Sequence, residues 1–235
     1  MALTFFLSEF IGTGLLVLVG LSAVIMDFAP GSPVYAWLGS PGLRRFVTGF
    51  LFGSTGGLIA LSPVGKVSGA HINPAVTLMF LVQGKLRPWH AGLYLAAQLA
   101  GAVVGALPLL AWGTWGRSIH FGATVPGPGY GPGLALAGEV ATTFAMVLCL
   151  QVFLGHRRLR AYTPLLFPVL YAIMVYAEAP VSGTSTNPAR TLGPAVITDL
   201  WRSWWIYWIG PAAGALLAVA VHRWSPLHPL EMEVA

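Results

Sequence analysis

The chain has 235 residues, 56% of them hydrophobic and only 8% charged, with a formal net charge of +5. A soluble domain carries roughly 25% charged residues, so most of this chain is not built to face water. The positive charge does not point to nucleic acid. The basic residues sit in short loops between apolar runs, where the preference for Lys and Arg on the cytoplasmic side of a membrane accounts for them.

Six long apolar segments follow one another, over 3–28, 43–63, 88–112, 134–155, 162–180 and 203–224. Each is close to the roughly 20 residues that a helix needs to cross hydrocarbon. The first lacks a basic leader region and reads as a membrane helix, not a cleaved signal peptide. Two further apolar segments are too short to cross: Asn73 to about Gly84, and Asn187 to about Leu200. Each opens on Asn-Pro. Asn is a favoured N-cap, and proline suits the first helical position, where its missing N–H is not needed. These read as re-entrant half-helices. The Gly- and Pro-rich stretch from Gly113 to Gly133 reads as a loop on the outer side. Cys149 lies in an apolar run and reads as an inert buried thiol.

The order helix, helix, half-helix, helix occurs twice, over about 1–112 and 134–224 of a single domain spanning 1–235. The first half holds Glu9 and then SGAHINPAVT, Ser68 to Thr77. The second holds Glu139 and then SGTSTNPART, Ser182 to Thr191. Three spans per half give the halves opposite orientations. The expected fold is an all-α membrane protein with six transmembrane helices and two half-helices in an inverted repeat. Such repeats place the functional site near the midplane. Loop charges at Lys66, Lys85, Arg87, Arg157, Arg158 and Arg160, with Arg223, place both termini in the cytoplasm. Arg44, Arg45, Arg117 and Arg202 fall on the outer side, with the Arg44-Arg45 pair against the trend. Small-residue pairs, Gly101 with Gly105 and Gly210 with Gly214, suit close helix packing.

Two half-helix N-termini facing each other each bring about half a positive charge to the midplane. That pair of charges opposes any cation there, including a proton on a water wire. Asn73 and Asn187 add side-chain N–H donors, so a passing water accepts two hydrogen bonds and its chain of proton hops is interrupted. Before each half-helix lies non-helical backbone, which at this depth is tolerated only where it lines a cavity. The carbonyls of Gly69, Ala70, His71 and Ile72, and of Gly183, Ser185 and Thr186, are expected to form a ladder of acceptors along the pore.

These two loops resemble the signature loops of the aquaporin, or major intrinsic protein, family, and the likeness runs through both glutamates and IYWIGP (Ile206 to Pro211). It resembles a prokaryotic-type member without histidine in its selectivity filter. The resemblance implies NPA motifs at Asn73, Pro74, Ala75 and Asn187, Pro188, Ala189. It implies a homotetramer with one pore per subunit and a second constriction made of four positions. Arg190 follows the second NPA, Thr184 matches the second-loop position, and Val175 matches the fifth-helix position. The second-helix position is Phe52, with Gly53 as the alternative, because SPVG (Ser62 to Gly65) holds one extra residue. Arg190 is expected to donate to the permeant and repel cations, since an intramembrane charge by default marks a path. Glu9 and Glu139 are expected to brace their loops. His71 is expected to stabilise its loop, with pH gating as the alternative. Glu178 has no clear place: a vestibule charge and a partner for an arginine are both open. Trp201, Trp204, Trp205, Tyr207 and Trp208 read as an interfacial aromatic belt.

The expected function is passive conduction of water, with leak of small neutral solutes and exclusion of protons and ions, in the plasma (cell inner) membrane. Val175 stands where strict water channels carry histidine and favours the alternative, a facilitator of glycerol, urea, ammonia or neutral metalloid hydroxides. Thr191, where glycerol channels carry Asp, together with Ala195, Tyr207 and Trp208, fits the water type. A closed-pore scaffold or adhesion protein is the reading from another class, and the sequence shows no long tail to recruit partners. No catalytic pair, cofactor or metal site is expected, and the remaining partner is the lipid bilayer.

Overall fold

The structure is a computed structural model and describes residues 2–224. Met1 and residues 225–235, the two ends of the expected 1–235 domain, lie outside the described residues. Among the described residues every regular element is helical. In chain order these are α1 (Ala2–Phe28), α2 (Pro33–Trp37), α3 (Pro41–Leu61), α4 (Pro63–Ser68), α5 (Pro74–Val82), α6 (Pro88–Ala106), α7 (Gly113–Ser118), α8 (Pro132–Gly155), α9 (Thr163–Glu178), α10 (Pro188–Thr198) and α11 (Ile206–Trp224). Six of them, α1, α3, α6, α8, α9 and α11, form the spans.

Helices α5 and α10, with 9 and 11 residues, reach roughly halfway through hydrocarbon at about 1.5 Å per residue. Asn73 and Asn187 cap them in extended conformation, and Pro74 and Pro188 take the first helical positions. The five spans other than α3 lie in stretches long and apolar enough to cross a membrane. Helix α3 has the length, at 21 residues, but Arg44, Arg45 and several glycines dilute its apolar character.

Packing follows the repeat. Helix α1 lies on α6 as α8 lies on α11, and α3 meets α9 between the halves. Each half-helix leans on the last span of the other repeat, α5 on α11 and α10 on α6. Glycines set the closest approaches. A Cβ at Gly101 or Gly105 would meet the carbonyls of Phe10 and Gly14 at 2.2 and 2.3 Å, and one at Gly214 would meet Val140 O at 2.5 Å. The α3–α9 seam is a third such site. Gly49, Gly53 and Gly57 lie against the carbonyls of Tyr171, Phe167 and Pro164 at 2.3, 2.2 and 2.5 Å from their would-be Cβ atoms.

The outside is an apolar belt, with Leu3, Leu7, Ile11 and Leu15 forming an exposed stripe on α1 and Val169, Ile173 and Tyr176 exposed on α9. Trp201, Trp204 and Trp205 are exposed, but Tyr207 is fully buried and is not part of that belt. Cys149 is half-buried, not enclosed. Arg44 is no loop charge: it is buried, its guanidinium lies 3.8 Å from the Tyr35 ring centre, and Asp27 is within electrostatic reach. The stretch after α6 is more ordered than a plain loop, with Leu107–Trp112 as a 3-10 turn followed by α7.

Replacing Gly53 by valine should wedge α3 off the Phe167 carbonyl. Overpacking of this kind typically costs about 1–3 kcal/mol, so the unfolding midpoint in detergent, followed by tryptophan fluorescence, is expected to fall by several degrees. An unchanged midpoint would show that the seam is not tightly closed.

Candidate functional site

The two signature loops share one bracing pattern, to which Glu9 adds a bond from Gln98 Nε2 at 2.7 Å. In the first, Ser68 Oγ donates to Glu9 Oε1 at 2.6 Å, and the backbone N–H groups of His71 and Ile72 donate to Glu9 at 2.9 and 2.7 Å. In the second, Ser182 Oγ donates to Glu139 Oε1 at 2.6 Å, and Ser185 and Thr186 N–H donate at 2.7 and 2.8 Å. Tyr94 and Tyr207 hydroxyls donate to the carbonyls of Ser68 and Ser182 at 2.9 and 2.6 Å. Each loop carries three left-handed residues in matching places, Gly69, Ala70 and Ile72, then Gly183, Thr184 and Thr186. Only glycine adopts that region freely, so four non-glycine residues are held there by these bonds.

At the centre the loops are joined to each other. Asn73 Oδ1 accepts from Ala75 N at 2.8 Å, and Asn187 Oδ1 accepts from Ala189 N at 3.0 Å and Arg190 N at 3.3 Å. Asn73 Nδ2 donates to Thr186 O and Asn187 Nδ2 to Ile72 O, both at 2.9 Å. An amide nitrogen has two hydrogens, so each asparagine keeps one N–H beyond this cross-link. Pro188, Ala189 and Arg190 are buried in the first turn of α10, as Ala75 is in α5.

Two cavities open from this centre. One, of about 590 Å³, opens toward the face that carries the N-terminus and is walled by Phe5, His90 and Arg160 at its mouth and by Ile72, Asn73 and Asn187 at depth. Gly69, Ala70 and His71 also border it. The other, of about 340 Å³, opens on the far face, past Phe28 and Arg45. Val175, Gly183, Thr184 and Arg190 border that one. Phe52 and Tyr171 wall both cavities, with ring centres 5.9 Å apart.

The Phe52 ring faces Arg190, whose guanidinium carbon lies 5.8 Å from the ring centre. Gly20 of α1 makes room for it, since a Cβ there would sit 2.5 Å from Phe52 Cε2. Gly53 instead directs its Cβ position at the Phe167 carbonyl. Ser185 and Thr186 are fully buried, and their carbonyls already accept from Thr186 Oγ1 at 2.7 Å and from Asn73. His71 lies flat against Phe80, ring centres 4.4 Å apart, with Nδ1 3.2 Å from Thr77 Oγ1.

Three contributors were not read from the sequence. Tyr171 lies one helical turn before Val175 on α9, and its hydroxyl pairs with Thr186 Oγ1 at 2.8 Å. Gly122 O accepts from Arg190 Nη1 at 2.8 Å and so orients the guanidinium. Thr124 ties the same loop down through Thr191 at 2.8 Å, which in turn reaches Ser185 Oγ at 2.6 Å. Of the three, only Tyr171 leaves a signal in the sequence, its helical-turn spacing from Val175.

A six-span inverted repeat with two half-helices meeting head to head between opposed cavities defines a membrane channel protein. Comparison with known proteins gives the same class. The family model described as Major intrinsic protein matches residues 2–222. The chain belongs to the major intrinsic protein family, whose members are channels and not enzymes. It is 33% identical over 221 residues to aquaporin TIP4-3 of Zea mays, covering 92% of this chain and 84% of that one. It is 38% identical over 164 residues to a probable aquaporin TIP4-2 of Oryza sativa subsp. japonica, covering 67% of this chain and 61% of that protein, less than two thirds of its length. The X-ray structure of the aquaglyceroporin from Plasmodium falciparum has the same fold, with a TM-score of 0.75 at 18% identity over 94% of this chain and 96% of that one.

Glu139→Ala leaves three donors of the second loop without their acceptor, each an omission of about 1–3 kcal/mol when buried. Its unfolding midpoint is expected to fall well below that of Tyr207→Phe, which removes one hydrogen bond. Equal midpoints would mean that the carboxylate does not brace the loop.

Proposed function

We propose that the protein is a passive channel for water that leaks small neutral solutes and holds back protons and ions. The observation that carries this is the reciprocal pair at the centre. Two half-helix N-termini converge there, and each capping asparagine retains a free amide hydrogen beside them. Both features favour an oxygen acceptor and oppose a cation. The relatives named aquaporins support water as the permeant.

Phe52, Val175, Thr184 and Arg190 form the selectivity filter in this reading, with Tyr171 as the next wall below Val175. Phe52 narrows the passage, and Arg190 supplies a fixed positive charge and N–H donors. The carbonyls of Gly69, Ala70, His71 and Gly183 supply acceptors on either side, and Ile72 O adds the lone pair that Asn187 leaves open. Val175 supports a second reading, facilitation of glycerol, urea, ammonia or neutral metalloid hydroxides, because valine leaves a wider constriction there than a histidine ring would. The N-terminal face is cytoplasmic, which places Lys66, Lys85, Arg87 and the Arg157 to Arg160 turn inside. The chain acts as a single domain, assembled as a homotetramer in the plasma membrane.

Stopped-flow light scattering on proteoliposomes tests the claim. Osmotic permeability is expected to rise above that of empty vesicles, and permeability equal to theirs would sink it. A glycerol or urea gradient run in parallel separates the two readings. Val175→His is expected to reduce urea flux more than water flux. Arg190→Val is expected to raise cation permeability, read with a pH-sensitive dye inside the vesicles.

A further inference from the structure

Glu178 ends α9 and is the only acidic residue of that helix. Its neighbours Val175 and Ala179 border the far cavity, as do Gly183 and Thr184 of the following loop. The carboxylate itself points another way, toward α8. A Cβ on Gly138 would lie 2.2 Å from Glu178 Oε1, so the glycine is what admits the side chain. The other oxygen, Oε2, accepts a hydrogen bond from Thr184 Oγ1 at 2.5 Å. Thr184 sits at φ +49°, a left-handed conformation that a β-branched residue rarely adopts.

The matching position in the first loop sharpens what this contact is for. Ala70 has the same left-handed backbone, at φ +50°, and the same N–H bond to its serine hydroxyl, 3.2 Å against 3.1 Å in Thr184. It has no hydroxyl to place. The loop conformation therefore forms without such a contact, and the Thr184–Glu178 bond is an addition of the second repeat alone. A hydroxyl carries one hydrogen. With that hydrogen committed to Glu178, Thr184 offers no side-chain donor to a permeant.

We propose that Glu178 is a positioning residue that determines selectivity by sequestering the Thr184 hydroxyl. This rests on the reading of Phe52, Val175, Thr184 and Arg190 as the filter. Phe52 and Val175 are apolar, so Arg190 is left as the one donating side chain of the four. Water needs few partners to pass such a ring. Urea and glycerol present several polar groups and lose more in it. Releasing the Thr184 hydroxyl adds a second donor to the ring and favours them.

The test compares Glu178→Met, Glu178→Gln and the double variant Glu178→Met with Thr184→Val, reconstituted at matched protein density. Methionine keeps the volume and removes the acceptor, while glutamine keeps an acceptor oxygen. The ratio of urea to water permeability is expected to rise about threefold in Glu178→Met, a change of about 0.65 kcal/mol in relative barrier. It is expected to stay nearer the unsubstituted value in Glu178→Gln, and to return toward it in the double variant, which has no hydroxyl to release. An unchanged ratio in Glu178→Met overturns the proposal, as does a raised ratio that persists in the double variant. A cryo-electron microscopy map of the unsubstituted protein in lipid reads the same contact without any flux. Thr184 Oγ1 at hydrogen-bond distance from Glu178 supports the assignment, and Thr184 Oγ1 turned away from Glu178 toward the lumen overturns it. That readout stands even if osmotic permeability equals that of empty vesicles, the outcome that sinks the water-channel reading instead.

Discussion

Everything at the centre of this molecule depends on two buried carboxylates accepting backbone hydrogens. Glu9 and Glu139 are intramembrane acids, and an acid in hydrocarbon is expensive unless its hydrogen bonds are made. Here each takes one serine hydroxyl and two consecutive backbone N–H groups. Those N–H groups belong to segments that have left helical geometry and have no ladder of their own. Left-handed non-glycine residues cost roughly 1–3 kcal/mol each, and Ala70, Ile72, Thr184 and Thr186 all adopt that conformation. The loop and the acid each satisfy what the other leaves open, so neither persists without the other.

From that brace the rest follows in layers. The loops deliver Asn73 and Asn187 to the starts of α5 and α10, and the half-helices then lean on the last span of the opposite repeat. Those contacts need close helix approach, which glycine supplies along α6, α11 and α3. Closing the α3–α9 seam brings Phe52 and Tyr171 together between the cavities. The far cavity then receives Arg190, aimed by Gly122 O. Backbone geometry at one level becomes side-chain position at the next.

Much of this was legible in the chain itself, for local reasons. Apolar runs mark spans, and Asn-Pro marks both half-helix starts, so the elements fall within a few residues of their expected bounds, except that α6 stops at Ala106 and a 3-10 turn fills the stretch to Trp112. The paired Ser-Gly and Asn-Pro-Ala segments showed the repeat directly. What was not legible depends on rotation or on contacts across elements. Phe52 and Gly53 differ by about 100° around α3, and Ser62 to Gly65 open a short helix of their own, so counting along the chain left two candidates. From its spacing Tyr207 reads with its exposed tryptophan neighbours, yet its hydroxyl is the partner of Ser182 O. Arg44 read as a misplaced loop charge because Tyr35 and Asp27 are not adjacent to it in sequence. Gly122 announces nothing, since what it contributes is a carbonyl.

The crossed bonds of the two asparagines also bear on how the chain is made. Asn73 reaches Thr186, 113 residues later, and Asn187 reaches back 115 residues to Ile72. Contacts so distant in sequence are slow to form, because the entropy of closing a long loop opposes them. A ribosome that has finished the first half has made every partner of the first carboxylate brace but only one side of the cross-link. That loop waits, three spans long, for a donor not yet synthesised. The centre of the pore thus cannot close until both halves of the chain are present.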